Sequence, residues 1–268
     1  MGLVVFSDLD GTLLDHHDYS YEAARPALEA LRGADVPLVL CSSKTRAEMI
    51  PLHQELGLSA PIIVENGGGI FAPPGCLLAK GEPWREAEGG WKVMEIGLPI
   101  DEVRARAADF MAHLKLKGFG ELSDRQVAKL TGLSKEAAAR AREREFNEPI
   151  LPPQDAAQGE KLASAAQKTG LQVTRGGRFW HLLGGGDKGK AVRLLKVLYA
   201  KRDPELVTMA LGDAPNDLPM LAAVERPVLV ARPDGSHASL ELEGLTLEPL
   251  AGPAGFNQAV LAALEQVA

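Results

Sequence analysis

Leu3-Val4-Val5-Phe6-Ser7 is an uninterrupted apolar run that stops at Asp8. A strand with one wet face would alternate apolar and polar residues, so a short run this uniform predicts a strand covered on both faces. Residues 36–40 and 61–64 repeat the pattern. Between these runs, residues 21–34 place Ala24, Ala27, Leu28 and Leu31 at helical spacing, and residues 44–56 read as a second helix closed by Gly57. Buried strands alternating with helices predict a parallel sheet packed on both sides. The same alternation returns late in the chain, with helices expected at 189–198, 217–223 and 256–267 and strands at 208–211 and 227–231.

The middle follows other rules. Loop signals interrupt it at Glu88-Gly89-Gly90 and at residues 149–153. Residues 101–114 carry one apolar helical stripe, and residues 122–145 hold further helical material. Residues 171–175 and 179–183 read as a β-hairpin turning at Gly176-Gly177. The expected fold is therefore α/β: a Rossmann-like parallel-sheet core, residues 1–82 and 187–268, with an inserted α/β cap over residues 83–186.

Ligands of open α/β sheets bind beyond the carboxyl ends of the strands. Asp8-Leu9-Asp10-Gly11-Thr12 begins at such an end. Residues i and i+2 of an extended chain share a side, so two carboxylates face one spot. They repel unless a proton or cation intervenes, and a hard divalent ion such as Mg²⁺ suits oxygen ligands together with a phosphate. Gly212-Asp213-Ala214-Pro215-Asn216-Asp217 follows another expected strand, Ser42 and Ser43 follow a third, and Lys188 opens a helix. Acids, a hydroxyl and a lysine gathered at one sheet edge are the parts phosphoryl transfer needs.

These motifs, in this order, resemble the haloacid-dehalogenase-like superfamily, in its branch with an inserted α/β cap. Longer stretches resemble the mannosyl-3-phosphoglycerate phosphatase family within that branch: residues 40–48, Glu65-Asn66-Gly67-Gly68, Arg144-Glu145-Phe146-Asn147-Glu148-Pro149, and residues 175–181. The resemblance implies that Asp8 is a nucleophile forming an aspartyl-phosphate, that Asp10 is general acid and base, and that Ser42 and Lys188 bind the phosphoryl group. It also implies that Asp8, Asp213 and the main-chain carbonyl of Asp10 hold Mg²⁺, with Asp217 and Asn216 in support. The implied substrate is a phosphorylated sugar-glycerate, with related sugar-phosphate or phosphoglycolate-type phosphatases sharing the same core. A carboxylate on that substrate calls for a cation, and Arg178 and His181 are the expected cap residues. Ser43, Glu65, Asn66, Gly67 and Gly68 are the expected contacts on the core side. A non-catalytic phosphate-binding regulator would require loss of the nucleophile or the acid, and both are present.

A formal net charge of -7 argues against nucleic acid as a partner, which needs a concentrated basic surface. Arg140, Arg142 and Arg144 alternate with Glu143 and Glu145 and read as a solvated helix face. No apolar run approaches a membrane span, and the opening residues make no signal peptide, so a cytoplasmic protein is expected. Cys41 and Cys76 show no disulfide or zinc spacing and read as reduced thiols. His16-His17-Asp18 reads as a solvated loop, and Trp84, Trp91 and Trp180 as packing residues.

Overall fold

The structure, a computed structural model, describes residues 2–176 and 178–266. Gly177, expected in the hairpin turn, and Val267, expected in the terminal helix, lie outside the described residues. The chain opens with β1 (Leu3–Ser7), α1 (Arg25–Gly33), β2 (Leu38–Cys41), α2 (Arg46–Glu55), β3 (Ile62–Val64), β4 (Gly69–Ala72), β5 (Arg85–Glu86) and β6 (Lys92–Glu95). The middle holds α3 (Ile100–Leu114), α4 (Asp124–Thr131), α5 (Lys135–Arg142), β7 (Asn147–Ile150), α6 (Ala156–Lys168), β8 (Gln172–Arg175) and β9 (Trp180–Leu183). The last part holds α7 (Lys188–Ala200), β10 (Val207–Gly212), α8 (Leu218–Leu221), β11 (Arg226–Ala231), β12 (Thr246–Ala251) and α9 (Gly252–Glu265).

Among the described residues the large sheet runs β12-β11-β10-β1-β2-β3-β4-β6-β5. From β12 to β3 the pairs are parallel, and beyond β3 they are antiparallel. Alternation along β1 explains its uniform apolarity. Leu3 and Val5 pack with Leu31, Phe256 and Val260 of α1 and α9, whereas Val4 and Phe6 pack with Val192, Leu195 and Met220 of α7 and α8. Both faces are covered, so every position is apolar.

The chain runs outward from β1 through β2 to β3 on one side, and from β10 through β11 to β12 on the other. The order reverses between β1 and β10, and that reversal opens a crevice at their carboxyl ends. Ser7 pairs with Leu211, and Asp8 N–H donates to Leu211 O at 2.9 Å, so Asp8 and Asp213 emerge side by side.

β5 and β6 lie beyond the residue-83 division expected from the sequence, yet both pair in the large sheet. The chain leaves that sheet after Glu95, where Gly97 N–H bonds Gly68 O and Leu98 N–H bonds Gly184 O. The smaller sheet runs β7-β9-β8 and is antiparallel. Its β8–β9 pair is the expected hairpin. α3 and α6 bury Val103, Ala107, Leu162 and Ala166 against Ile150 and Leu182. Residues 122–145 form two helices, α4 and α5, capped by Ser123 and Ser134. Among the described residues no helix is long and apolar enough to cross a membrane. Cys41 is buried, Cys76 is half-buried, and both thiols are free.

Candidate active site

Three elements converge on one buried point. Asp8 follows β1, Lys188 is the first residue of α7, and Asp217 closes the turn after β10. Lys188 Nζ donates to Asp8 Oδ1 and to Asp217 Oδ1, each at 2.7 Å. The Lys188 side chain is 1 % exposed and that of Asp217 0 %. Asp217 Oδ2 accepts the N–H groups of Asp213 (3.2 Å) and Ala214 (3.1 Å), which fixes the loop carrying Asp213. Gly11 lies against Asp213, and a Cβ there would come within 2.7 Å of Asp213 Oδ2. Its φ of +82° also favours glycine, so the Gly of the Asp-x-Asp-Gly motif is required twice over.

Oxygens of Asp8, Asp213 and Asp217 lie within 4.8 Å of one another. Against these three carboxylates stand Lys188, bonded to two of them, and Arg232, which acts on Asp213 from farther off. Burial first, and Asp217 second, push Asp213 up to about 7. Burial and Asp217 also hold Asp8 well above the usual carboxylate range, against the pull of Lys188. Burial pulls the Lys188 pKa down, but Asp217 and Asp8 hold it well above the ordinary lysine value. The cluster therefore carries more negative charge than Lys188 offsets. Asp8 Oδ2 and both Asp213 oxygens make no hydrogen bond among the described residues. An all-oxygen donor set with uncompensated negative charge fits a hard divalent cation.

Asp10 turns away from this cluster. Its Oδ2 lies 2.9 Å from Lys44 Nζ, and its Oδ1 is buried without a hydrogen-bond partner among the described residues. Ser42 is 1 % exposed at the end of β2, and its Oγ accepts the Lys44 N–H at 3.3 Å. The cleft above these groups is lined on the core side by Asp8, Asp10, Ser42, Ser43, Asp213 and Asn216. Arg144, Arg178, Phe179 and His181 line it from the middle segment.

The model for the haloacid dehalogenase-like hydrolase family matches residues 5–78. A glucosyl-3-phosphoglycerate/mannosyl-3-phosphoglycerate phosphatase of Methanococcoides burtonii is 42% identical over 261 residues, with 96% of each chain covered. The protein of the same name from Persephonella marina is 36% identical, covering 99% of this chain and 98% of that one. This chain belongs to the haloacid dehalogenase-like hydrolase family. Its fold is shared with a solved Thermoplasma acidophilum protein at 18% identity, with a TM-score of 0.70 and 99% of both chains covered.

Several residues expected to touch substrate stand elsewhere in this family member. Glu65 is fully buried, and its carboxylate accepts the N–H groups of Glu145 (2.8 Å), Phe146 (3.0 Å) and Asn147 (2.8 Å). It is tied to backbone rather than open to sugar hydroxyls. Asn66 is buried beside it, with neither side-chain amide atom hydrogen-bonded among the described residues. Gly67 and Gly68 are packed against Asp187 and Phe146, where a Cβ would come within 2.1 Å and 2.3 Å. None of these four lines the cleft. Arg178 does, donating to Thr131 O at 2.6 Å.

His181 lines the cleft too, but burial first, then Arg144 and Lys188, push its pKa down to about 3. The ring is neutral, so it cannot supply the positive charge for a carboxylate. Arg144, read from the sequence as part of a solvated helix face, has a side chain only 6 % exposed. Lys44 and Arg144 are the cleft cations that sequence reasoning passed over. Lys44 had a local signal, two residues after Ser42 at the same strand end. Arg144 had none beyond its place in the stretch 144–149.

Proposed function

We propose that this chain is a Mg²⁺-dependent phosphatase that hydrolyses mannosyl-3-phosphoglycerate to mannosylglycerate and phosphate. The observation that carries the reading is the Asp8–Lys188–Asp217 arrangement at the β1/β10 crevice, facing a cleft shared with the middle segment. The names of the two curated relatives point to the same substrate class and add a glucosyl counterpart.

Asp8 Oδ2 is the attacking atom, since Oδ1 is held by Lys188. Attack on phosphorus forms the Asp8–phosphate bond and breaks the bond to the glycerate oxygen, dividing one hard displacement into two easier ones. Asp10 gives its proton to the departing oxygen. Lys44 occupies Oδ2 of Asp10, which leaves Oδ1 as the oxygen without a partner among the described residues. A water then attacks phosphorus, Asp10 takes its proton, and Asp8 is released as carboxylate. Ser42 donates to a phosphoryl oxygen, and Lys188 offsets charge on the same group while keeping Asp8 oriented. Asp8, Asp213 and the Asp10 main-chain carbonyl would hold the divalent ion, with Asp217 and Asn216 in support. When bound, it offsets the charge that would keep a carboxylate and a phosphate apart.

Residues 97–185 act as the substrate-reading cap over a core formed by the rest of the chain. The protein works on a small molecule, needs no nucleic acid and acts in the cytoplasm.

The test is phosphate release with Mg²⁺ from mannosyl-3-phosphoglycerate, glucosyl-3-phosphoglycerate, 3-phosphoglycerate, mannose phosphates and phosphoglycolate, with Asp8→Asn as control. Strong preference for the glycosylated phosphoglycerates and a silent Asp8→Asn are expected. Equal rates on simple phosphates would remove the substrate assignment, and an active Asp8→Asn would remove the mechanism.

A further inference from the structure

A substrate bearing a phosphate and a carboxylate needs two places for negative charge in one cleft. Among the described residues four Lys and Arg side chains line or underlie this cleft, and three have other commitments. Lys188 is shared between Asp8 and Asp217, each 2.7 Å away. Lys44 is paired with Asp10 at 2.9 Å. Arg178 is exposed and bonded to Thr131 O.

Arg144 differs. It leaves the end of α5 and reaches back to the core, where Nη1 donates to Ser43 O at 2.8 Å and Nε donates to Ala141 O at 2.7 Å. Both acceptors are neutral carbonyls. Among the described residues the nearest carboxylate is Glu48, 3.8 Å from Nη2, and its Oε2 already accepts the Thr45 N–H at 2.9 Å. Glu65 also feels the charge of Arg144, and its carboxylate accepts three backbone N–H groups. The guanidinium face lies over Phe119, 6.0 Å from the ring centre. A buried guanidinium whose hydrogen bonds end on neutral oxygens carries charge that an incoming anion can complete. Its planar fork suits a carboxylate. Its anchor, Ser43, is the residue after Ser42, so this charge stands next to the phosphoryl position.

We propose that Arg144 receives the substrate's carboxylate, and so selects phosphorylated glycerates over phosphate esters that lack the acid. This rests on the phosphatase reading above. Arg178 is left to the rim, and neutral His181 to hydroxyl groups.

The test compares two phosphate esters that differ in the acid alone, 3-phosphoglycerate and glycerol 3-phosphate. The ratio of their kcat/KM values is measured in the wild type, Arg144→Met and Arg144→Lys. Losing one partner of a buried charge pair lowers that ratio about 30-fold or more in Arg144→Met, with a smaller fall in Arg144→Lys. Added guanidinium raises the ratio again in Arg144→Ala. A role for Arg144 that is structural alone, through its bond to Ser43, predicts equal losses on both esters and an unchanged ratio, which overturns the proposal. An unchanged ratio without any loss overturns it as well. Where Arg144→Met fails to fold, Arg144→Lys decides. Where neither ester is turned over, the same ratio is read from dissociation constants by calorimetry. Failure of the phosphatase reading shows separately, as wild-type protein that releases no phosphate from any ester.

Discussion

His181 sits between Asn147 and the cleft, with Nδ1–H donating to Asn147 Oδ1 at 3.1 Å. Burial makes its protonated form costly, and the positive charges of Arg144 and Lys188 add to that cost. The unfolded chain pays neither penalty and titrates near 6.5, whereas the folded pKa is about 3. Between those values the unfolded state binds a proton that the folded state refuses. Stability from this residue is therefore full above pH 6.5 and falls as pH drops towards 3, by about 1.36 kcal/mol for each pH unit. At pH 5 the loss is about 2 kcal/mol. In His181→Gln, the fall in unfolding free energy between pH 7.5 and pH 5, measured by urea titration, should shrink by about that amount. The same fall in both proteins would show that the folded state protonates His181 readily. Asp8, Ser42, Lys188 and Asp213 were singled out from sequence because each follows a buried run or opens a helix, and Asp10 because it lies two residues after Asp8. The surroundings of Arg144 and Glu65 were not visible there, because they meet their partners across 101 and 80 residues of chain.

Glu65 acts on an element, the entry to β7. Its backbone φ is +50°, a left-handed conformation that an L residue adopts only when its surroundings insist. The return is a carboxylate that caps three successive N–H groups at the entry to β7. Burial pulls its pKa up, while Arg144 and the three N–H groups pull it down. Glu65→Ala leaves those donors without an acceptor inside the protein. An unpaired buried donor costs about 1–3 kcal/mol, and with partial relaxation the total should be about 2–4 kcal/mol. Chemical denaturation measures this, and faster amide exchange at Phe146 and Asn147 locates it; a loss under about 0.5 kcal/mol would mean water takes over the three N–H groups. The same elements show where sequence reading stopped. β7 is fully buried but spelled Asn-Glu-Pro-Ile, because Arg104 (2.8 Å) and Gly120 N–H (2.6 Å) satisfy Glu148. α6 carries Gly159 in its interior because Trp180 packs there, and a Cβ would come within 2.6 Å of the ring. β12 is an edge strand with mostly exposed residues and a proline, so no apolar run announced it.

Across the whole molecule, two chain crossings at Gly97 and residues 184–186 join cap to core, and a third tether crosses without chain continuity. Phe146 inserts into the core beside Phe71, with ring centres 6.4 Å apart. Around it, Thr45 Oγ1 donates to Arg140 O at 2.8 Å, Arg46 Nε to Glu145 at 2.9 Å, and Arg144 to Ser43 O. This side of the cleft is bolted. The opposite mouth, between the β8–β9 hairpin and the turn at residues 215–217, has no comparable set of bonds among the described residues. Substrate has to enter a cleft that later shields the reacting groups, and that mouth is the side free to part. The cap should therefore swing about the Phe146 tether instead of lifting away. Spin labels at Arg175 and Asp234 report the mouth, and labels at Glu143 and Gln54 report the tether, in protein carrying Cys76→Ser. Burial pushes the Cys41 thiol far up, so it resists labelling. Adding vanadate with Mg²⁺ should shorten and narrow the Arg175–Asp234 distances and leave the Glu143–Gln54 distances as they were. If both pairs shift together, the cap lifts as a whole and the tether is no pivot. If neither shifts, substrate enters a cleft that stays as it is, and the bonds around Phe146 serve stability alone.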